Sequence, residues 1–172
     1  NALALVPGAK ANCATVSYSK TLTESDYDSG AKRKSTLTVS IEGNLNEVGQ
    51  GIANDESRMY YFKDGKMKWT YTSDPEVSEC IITKRSGLGI EKLETQQDGG
   101  FYASATEYDG TIARKTVTID ITNSKGEGDP NDPHACDYVT PKDLEPAKEE
   151  MDIDVQIKGQ VQKDRLRLVG ES

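Results

Sequence analysis

The chain is poor in the residues that build most chemical sites. Among 172 residues there are one His and three Cys, so a zinc site has little to draw on. The same scarcity argues against enzymes built on several histidines. Cys13, Cys80 and Cys136 lie far apart and form no C-x-x-C pair, which weakens zinc-ribbon and dithiol-redox readings. No apolar run is long enough for a transmembrane helix, and no membrane insertion is expected. Positive charge is in deficit: 21 Lys and Arg stand against 29 Asp and Glu, a net charge of -8. That balance argues against nucleic acid as the main partner. Hydrophobic residues make up 34%, below the usual apolar share of about 45–50% that includes Gly. The core is therefore modest, or part of the chain lies outside it.

What is present is distributed unevenly. Residues 124–152 hold nine acidic and three basic residues and four of the six prolines, the composition of a linker. The chain begins Asn1-Ala2-Leu3 without Met and is expected to be a processed or excised piece. It contains no N-x-S/T sequon. An odd number of cysteines allows one disulfide and a free thiol, an intermolecular bond, or three free thiols in a reducing compartment.

Strand signals dominate. Ala14 to Leu22 alternates, and in Ser35 to Ile41 the residues Leu37, Val39 and Ile41 share one face with Thr and Ser on the other, the pattern of a half-buried strand. Arg58 to Phe62 and Met67 to Tyr71 read as a hairpin turning at Asp64-Gly65. Glu79 to Thr83 and Leu88 to Ile90 read as two short strands, with Ser86-Gly87 as a turn. Phe101 to Thr106 and Lys115 to Ile121 read as strands flanking a turn at Asp109-Gly110. Ile153 to Ile157 and Arg165 to Val169 alternate again and suggest a hairpin. Helix evidence is confined to one or two turns within Pro141–Met151, where Pro146 suits a first turn. The expected class is all-β.

Residues 88–102 read Leu-Gly-Ile-Glu-Lys-Leu-Glu-Thr-Gln-Gln-Asp-Gly-Gly-Phe-Tyr. This resembles the E-to-F region of an immunoglobulin domain, and Asp98, Gly100 and Tyr102 resemble its tyrosine corner. Leu37 to Gly43 looks like strand B, and Tyr61-Phe62-Lys63-Asp64-Gly65-Lys66 looks like strand C of the I-set class. The resemblance implies an immunoglobulin-like antiparallel β-sandwich over 14–123. An N-terminal arm at 1–13, an acidic linker at 124–152 and a β-hairpin extension at 153–172 complete the expected organisation. Val39 and Ser104 stand where the family has its inter-sheet cysteines, and Tyr61 stands for the tryptophan that packs on them. The spacing from Val39 to Tyr61 implies an extended loop over 43–57. With that bond missing, a disulfide from Cys80 or Cys13 to Cys136 is the candidate staple for the extension.

Other motifs read as structural. The acidic turn around His134 does not match an EF-hand frame, and no nucleophile elbow occurs. Lys32-Arg33-Lys34 reads as a solvated basic face. Tyr is abundant, with eight copies against two Phe. Alternation places Tyr61 inward and Tyr60 outward, so that Tyr60, Trp69 and Tyr71 form a candidate protein interface.

The resemblance implies non-catalytic protein–protein recognition or adhesion by a secreted or cell-surface protein, with no cofactor and no metal. Its partner would be a protein, and a homodimer through the C-terminal strands is an added expectation. The alternatives are an intracellular I-set domain of a cytoskeletal scaffold and a small barrel holding an apolar ligand.

Overall fold

The computed structural model describes residues 3–4, 14–25, 32–48, 57–78, 81–104, 106–125, 145–160, 165–166 and 170–171. They are nearly all strand, and every pairing is antiparallel. In chain order the strands are β1 (Leu3–Ala4), β2 (Ala14–Ser25), β3 (Lys32–Gly43), β4 (Leu45–Val48), β5 (Arg58–Phe62), β6 (Gly65–Ser73) and β7 (Glu76–Ser78). Then follow β8 (Ile81–Leu93), a 3-10 turn (Gln96–Asp98), β9 (Gly100–Ala103), β10 (Glu107–Lys125), β11 (Ala147–Gln160), β12 (Arg165–Leu166) and β13 (Gly170–Glu171). β1 pairs only with β12, and the other strands form one eleven-stranded sheet.

That sheet has two wings. One runs β2-β3-β6-β8, and the other runs β4-β5-β9-β10 with β11 on the far edge of β10. They join where Ile81–Ser86 of β8 pairs with Asp120–Lys125 of β10. Val39, Ile41, Met67 and Trp69 of the first wing and Tyr60, Phe62, Phe101, Ile119 and Ile153 of the second belong to one buried cluster. The wings therefore bend over a shared core, because alternation gives each strand only one apolar face. The outer face of the first wing is hydroxyl-rich. Thr36 faces Thr72 and Thr38 faces Thr70 across β3 and β6, a pairing that stabilises adjacent strands.

Several expectations change. Arg58–Phe62 and Gly65–Ser73 are both strands, but β5 pairs with β4 and β9 while β6 pairs with β3 and β8. The Lys63-Asp64 turn thus crosses between wings and closes no hairpin. Leu45–Val48 is a strand inside the expected loop, and residues 49–56 lie outside the described residues. Asp109-Gly110 sits within β10, paired to Tyr102 and Phe101. Ahead of it, Ser104 Oγ accepts from the N–H groups of Thr106 and Glu107, each at 3.1 Å. Ser104 therefore lies beyond the end of β9.

The largest correction concerns the C-terminal part. Ala147–Met151 is strand where linker and helix were expected, and β11 pairs with β10 over its whole length. Ile153, Val155 and Ile157 are fully buried, so this segment completes the core and does not append to it. Within the expected hairpin, Arg165–Leu166 pairs with β1 instead, whereas Gly170–Glu171 pairs antiparallel with Ile157 and Gln156 of β11.

β5, β9 and β10 stand side by side, and β2 lies beside β3. The immunoglobulin fold places E directly beside B, whereas here β6 separates β3 from β8, the strand read as E.

Candidate functional site

The expected interface residues point the other way. Tyr60 is 1% exposed and stacks on Phe101 with ring centroids 5.9 Å apart. Tyr61 is the half-exposed one, its hydroxyl accepting from Asn46 Nδ2 at 2.9 Å. Phe62, two residues from Tyr60, is also buried, so the Tyr60–Phe62 face is the one committed to the core. Trp69 is 3% exposed, and Tyr71 is half-buried against the core. Tyr60, Trp69 and Tyr71 are packing residues.

The Asp98, Gly100 and Tyr102 group is divided in its settings. Asp98 Oδ2 accepts from the N–H groups of Glu94 at 2.7 Å and Thr95 at 3.0 Å, and Oδ1 meets Lys115 Nζ at 2.5 Å. Burial pushes this carboxyl up. The bond from Lys115, the two N–H donors and the Lys115 charge outweigh it and hold the carboxyl below the usual value of 3.8. Tyr102 is 58% exposed, and its hydroxyl makes no hydrogen bond among the described residues, unlike the hydroxyl of a tyrosine corner. The glycine this crossing requires is Gly99, with φ +112 and an ideal Cβ only 2.5 Å from the Thr111 carbonyl oxygen. The candidate disulfide residues Cys80 and Cys136, like Cys13 and His134, lie outside the described residues.

The basic triplet is engaged at Arg33, which pairs with Glu76. Glu76 also pairs with Arg85 at 3.1 Å, and Arg85 reaches Glu149 at 2.9 Å. This chain of charges links β3, β7, β8 and β11. Among the described residues, no group of three or more His, Cys, Asp or Glu is placed to hold a metal, and no helix is long and apolar enough to cross a membrane.

A different surface emerges on β8. Gly87 and Gly89 face inward onto the indole of Trp69, where an ideal Cβ would come within 2.8 Å of ring atoms at either position. Strand alternation then turns Leu88 and Ile90 outward, and they are 80% and 62% exposed. Moving the strand by one residue would bury both but drive their side chains into Trp69. The indole thus fixes the register that exposes two aliphatic side chains. The L-x-I motif gave no warning of this, because its alternating glycines occupy the inward positions usually taken by larger residues.

Lysines border the pair. Ile90 lies opposite Lys68, and Lys92 lies opposite Lys66, all on the outer face. Like charges directly opposite each other destabilise a sheet. Lys66 also lies opposite Glu42 of β3, whereas Lys92 has, among the described residues, one distant carboxylate, Glu94, at 3.9 Å. The region is aliphatic and cationic on a chain whose net charge is -8.

Compared with known proteins, the chain matches no family model, no curated protein and no solved structure.

Proposed function

We propose that the chain is a non-catalytic protein-recognition module whose contact surface is the outer margin of β6 and β8. The observation that carries this reading is the adjacent exposure of Leu88 and Ile90. Single exposed apolar residues are ordinary, but neighbouring ones on one face, rimmed by polar groups, mark interaction surfaces. The recognition function expected from the sequence is kept, and its contact residues move from Tyr60, Trp69 and Tyr71 to Leu88, Ile90, Lys68 and Lys92. An extracellular setting belongs to the same proposal. Alkylation of the native protein from an oxidising host tests that part, and three reactive thiols would reject it.

Selection from a random peptide library on the intact chain tests the surface, with a counter-screen on the Leu88→Asp, Ile90→Asp double variant. The selected ligands should lose most of their affinity for the variant, whose fold circular dichroism verifies. Ligands that bind both proteins equally would remove this surface from consideration.

A further inference from the structure

We propose that the Leu88–Lys92 edge of β8 captures an extended acidic peptide as an added strand. This rests on the recognition reading above and names the ligand class for the same surface.

The main-chain geometry supplies the first argument. Arg85 N–H donates to Ser73 Oγ at 3.1 Å, and Ser73 Oγ donates to the Arg85 carbonyl at 3.2 Å. The main-chain groups of Arg85 therefore face the β6 side. Successive residues of a strand alternate the edge to which their N–H and C=O groups point. Gly87, Gly89 and Glu91 thus face β6, whereas Leu88, Ile90 and Lys92 face the opposite edge. On that edge β10 pairs only as far as Ser86, and no strand among the described residues pairs beyond it. The N–H and C=O groups of Leu88, Ile90 and Lys92 form a short unpaired ladder, the template that strand addition uses.

The second argument is charge. Lys66, Lys68, Lys84 and Lys92 are exposed on the outer face of β6 and β8. Lys92 lies on β8 itself, where an acidic side chain of an incoming strand meets it directly. Lys66 and Lys68 stand one strand further off, roughly 10 Å from the added strand, and attract it at longer range. A second copy of the chain is the poorer occupant, because pairing β8 to β8 about Ile90 brings the lysines of both copies onto one face. Lysine on an edge strand is a known guard against such self-pairing. The third argument is the aliphatic row. Leu88 and Ile90 lie on the same face as these lysines, so the ligand fits with apolar residues at its centre and acidic residues at its ends.

The probe is the capped peptide Glu-Thr-Val-Thr-Val-Thr-Glu, titrated against the full chain while amide resonances are followed. The amides of Leu88, Ile90 and Lys92 should shift, and the affinity should fall as salt rises from about 0.05 to about 0.5 M. Two N-methylated versions, blocking alternate sets of peptide amides, separate pairing from charge. The set that faces β8 should weaken binding about tenfold or more, since it deletes several hydrogen bonds, and the other set should be tolerated. Ile90→Pro removes a donor from the open edge at a place where proline is compatible with a strand. It should abolish binding with an unchanged circular dichroism spectrum.

Equal affinity of the two methylated peptides would overturn strand addition. Equal binding of the Lys-ended counterpart would overturn the acidic preference. No shift at Leu88 to Lys92 would overturn the inference as a whole. None of these outcomes touches the recognition reading, which fails only if library-selected ligands bind the Leu88 and Ile90 double variant as well as they bind the wild-type chain.

Discussion

From Ile81 to Ser86, β8 is flanked on both edges, by β7 and the end of β6 on one side and by β10 on the other. From Gly87 to Leu93 only β6 remains beside it among the described residues. The side chains follow the same division. Arg85 holds Glu76 and Glu149, and Thr83 donates to Asn123 Oδ1 at 2.8 Å. Leu88 and Ile90, a few residues on, face outward as the most exposed large hydrophobic residues described. The exposed aliphatic pair has a physical source on the opposite face. Beneath Gly87, the core face of β8 is covered by the indole of Trp69 and by Ile119 Cγ2. The first half of β8 is built into the sheet on both edges, and the second lies over an aromatic ring with one edge unpaired among the described residues.

Removing the indole beneath Gly87 and Gly89 is the strongest way to break this contrast. Trp69→Ala should cost about 3–5 kcal/mol in urea denaturation, the range for truncating a buried aromatic. The indole N–H is buried without a partner among the described residues, so the ring contributes through volume. Gly89→Val by itself should cost about 1–3 kcal/mol through overpacking. Added to Trp69→Ala it should cost clearly less, because its clash is with the ring. Additive costs in that double-mutant cycle would show that the glycines have another purpose.

The paired half of β8 depends on β10, and β10 is backed by β11. Ile153→Ala should therefore lose about 2–5 kcal/mol, as expected for a truncated core isoleucine. A loss below about 0.5 kcal/mol, the scale of surface changes, would return 147–160 to the status of a linker.

The β11 case shows how much was legible in the sequence. Alternation identified β2, β3, β5, β6 and the Ile153–Ile157 stretch as strands, since burial of one face writes itself into every second residue. Pairing partners were not legible. Asp64-Gly65 has the same composition whether it closes a hairpin or carries the chain between wings, and only the positions of β3, β4, β8 and β9 decide which. The negative charge and prolines of 124–152 suggested a linker, but Glu149 is a partner of Arg85 and the strand begins at Ala147. For the candidate site, Gly87 and Gly89 were visible as glycines. Their role was not, because it depends on a tryptophan on a neighbouring strand.

Asp98 closes the far end of the split, where the chain leaves β8 and crosses to β9, and its bond to Lys115 ties that crossing to β10. Asp98→Ala should cost about 1–3 kcal/mol, the scale for losing hydrogen bonds to a charged group. The acid limb of stability adds a second readout. Because the folded carboxyl titrates below 3.8, its contribution is complete above that value. It disappears as pH falls through the lower folded value. The wild-type chain should therefore lose stability more steeply than Asp98→Asn as pH drops below about 4. Parallel curves would mean that Lys115 gains nothing from this carboxylate.

The smallest stability effect belongs to the surface that carries the function. Leu88→Thr with Ile90→Thr keeps β-branched or β-compatible side chains on an exposed strand, and it removes almost no buried area because both positions already face solvent. Stability should stay within about 0.5 kcal/mol of wild type, while affinity for acidic extended peptides falls. A large loss of stability would mean that these side chains are covered by another part of the folded chain. The open half of β8 would then be a structural seam and not a contact surface. Unchanged stability with reduced binding is the pattern of residues retained for a partner, since the fold gains nothing from leaving two aliphatic side chains in water.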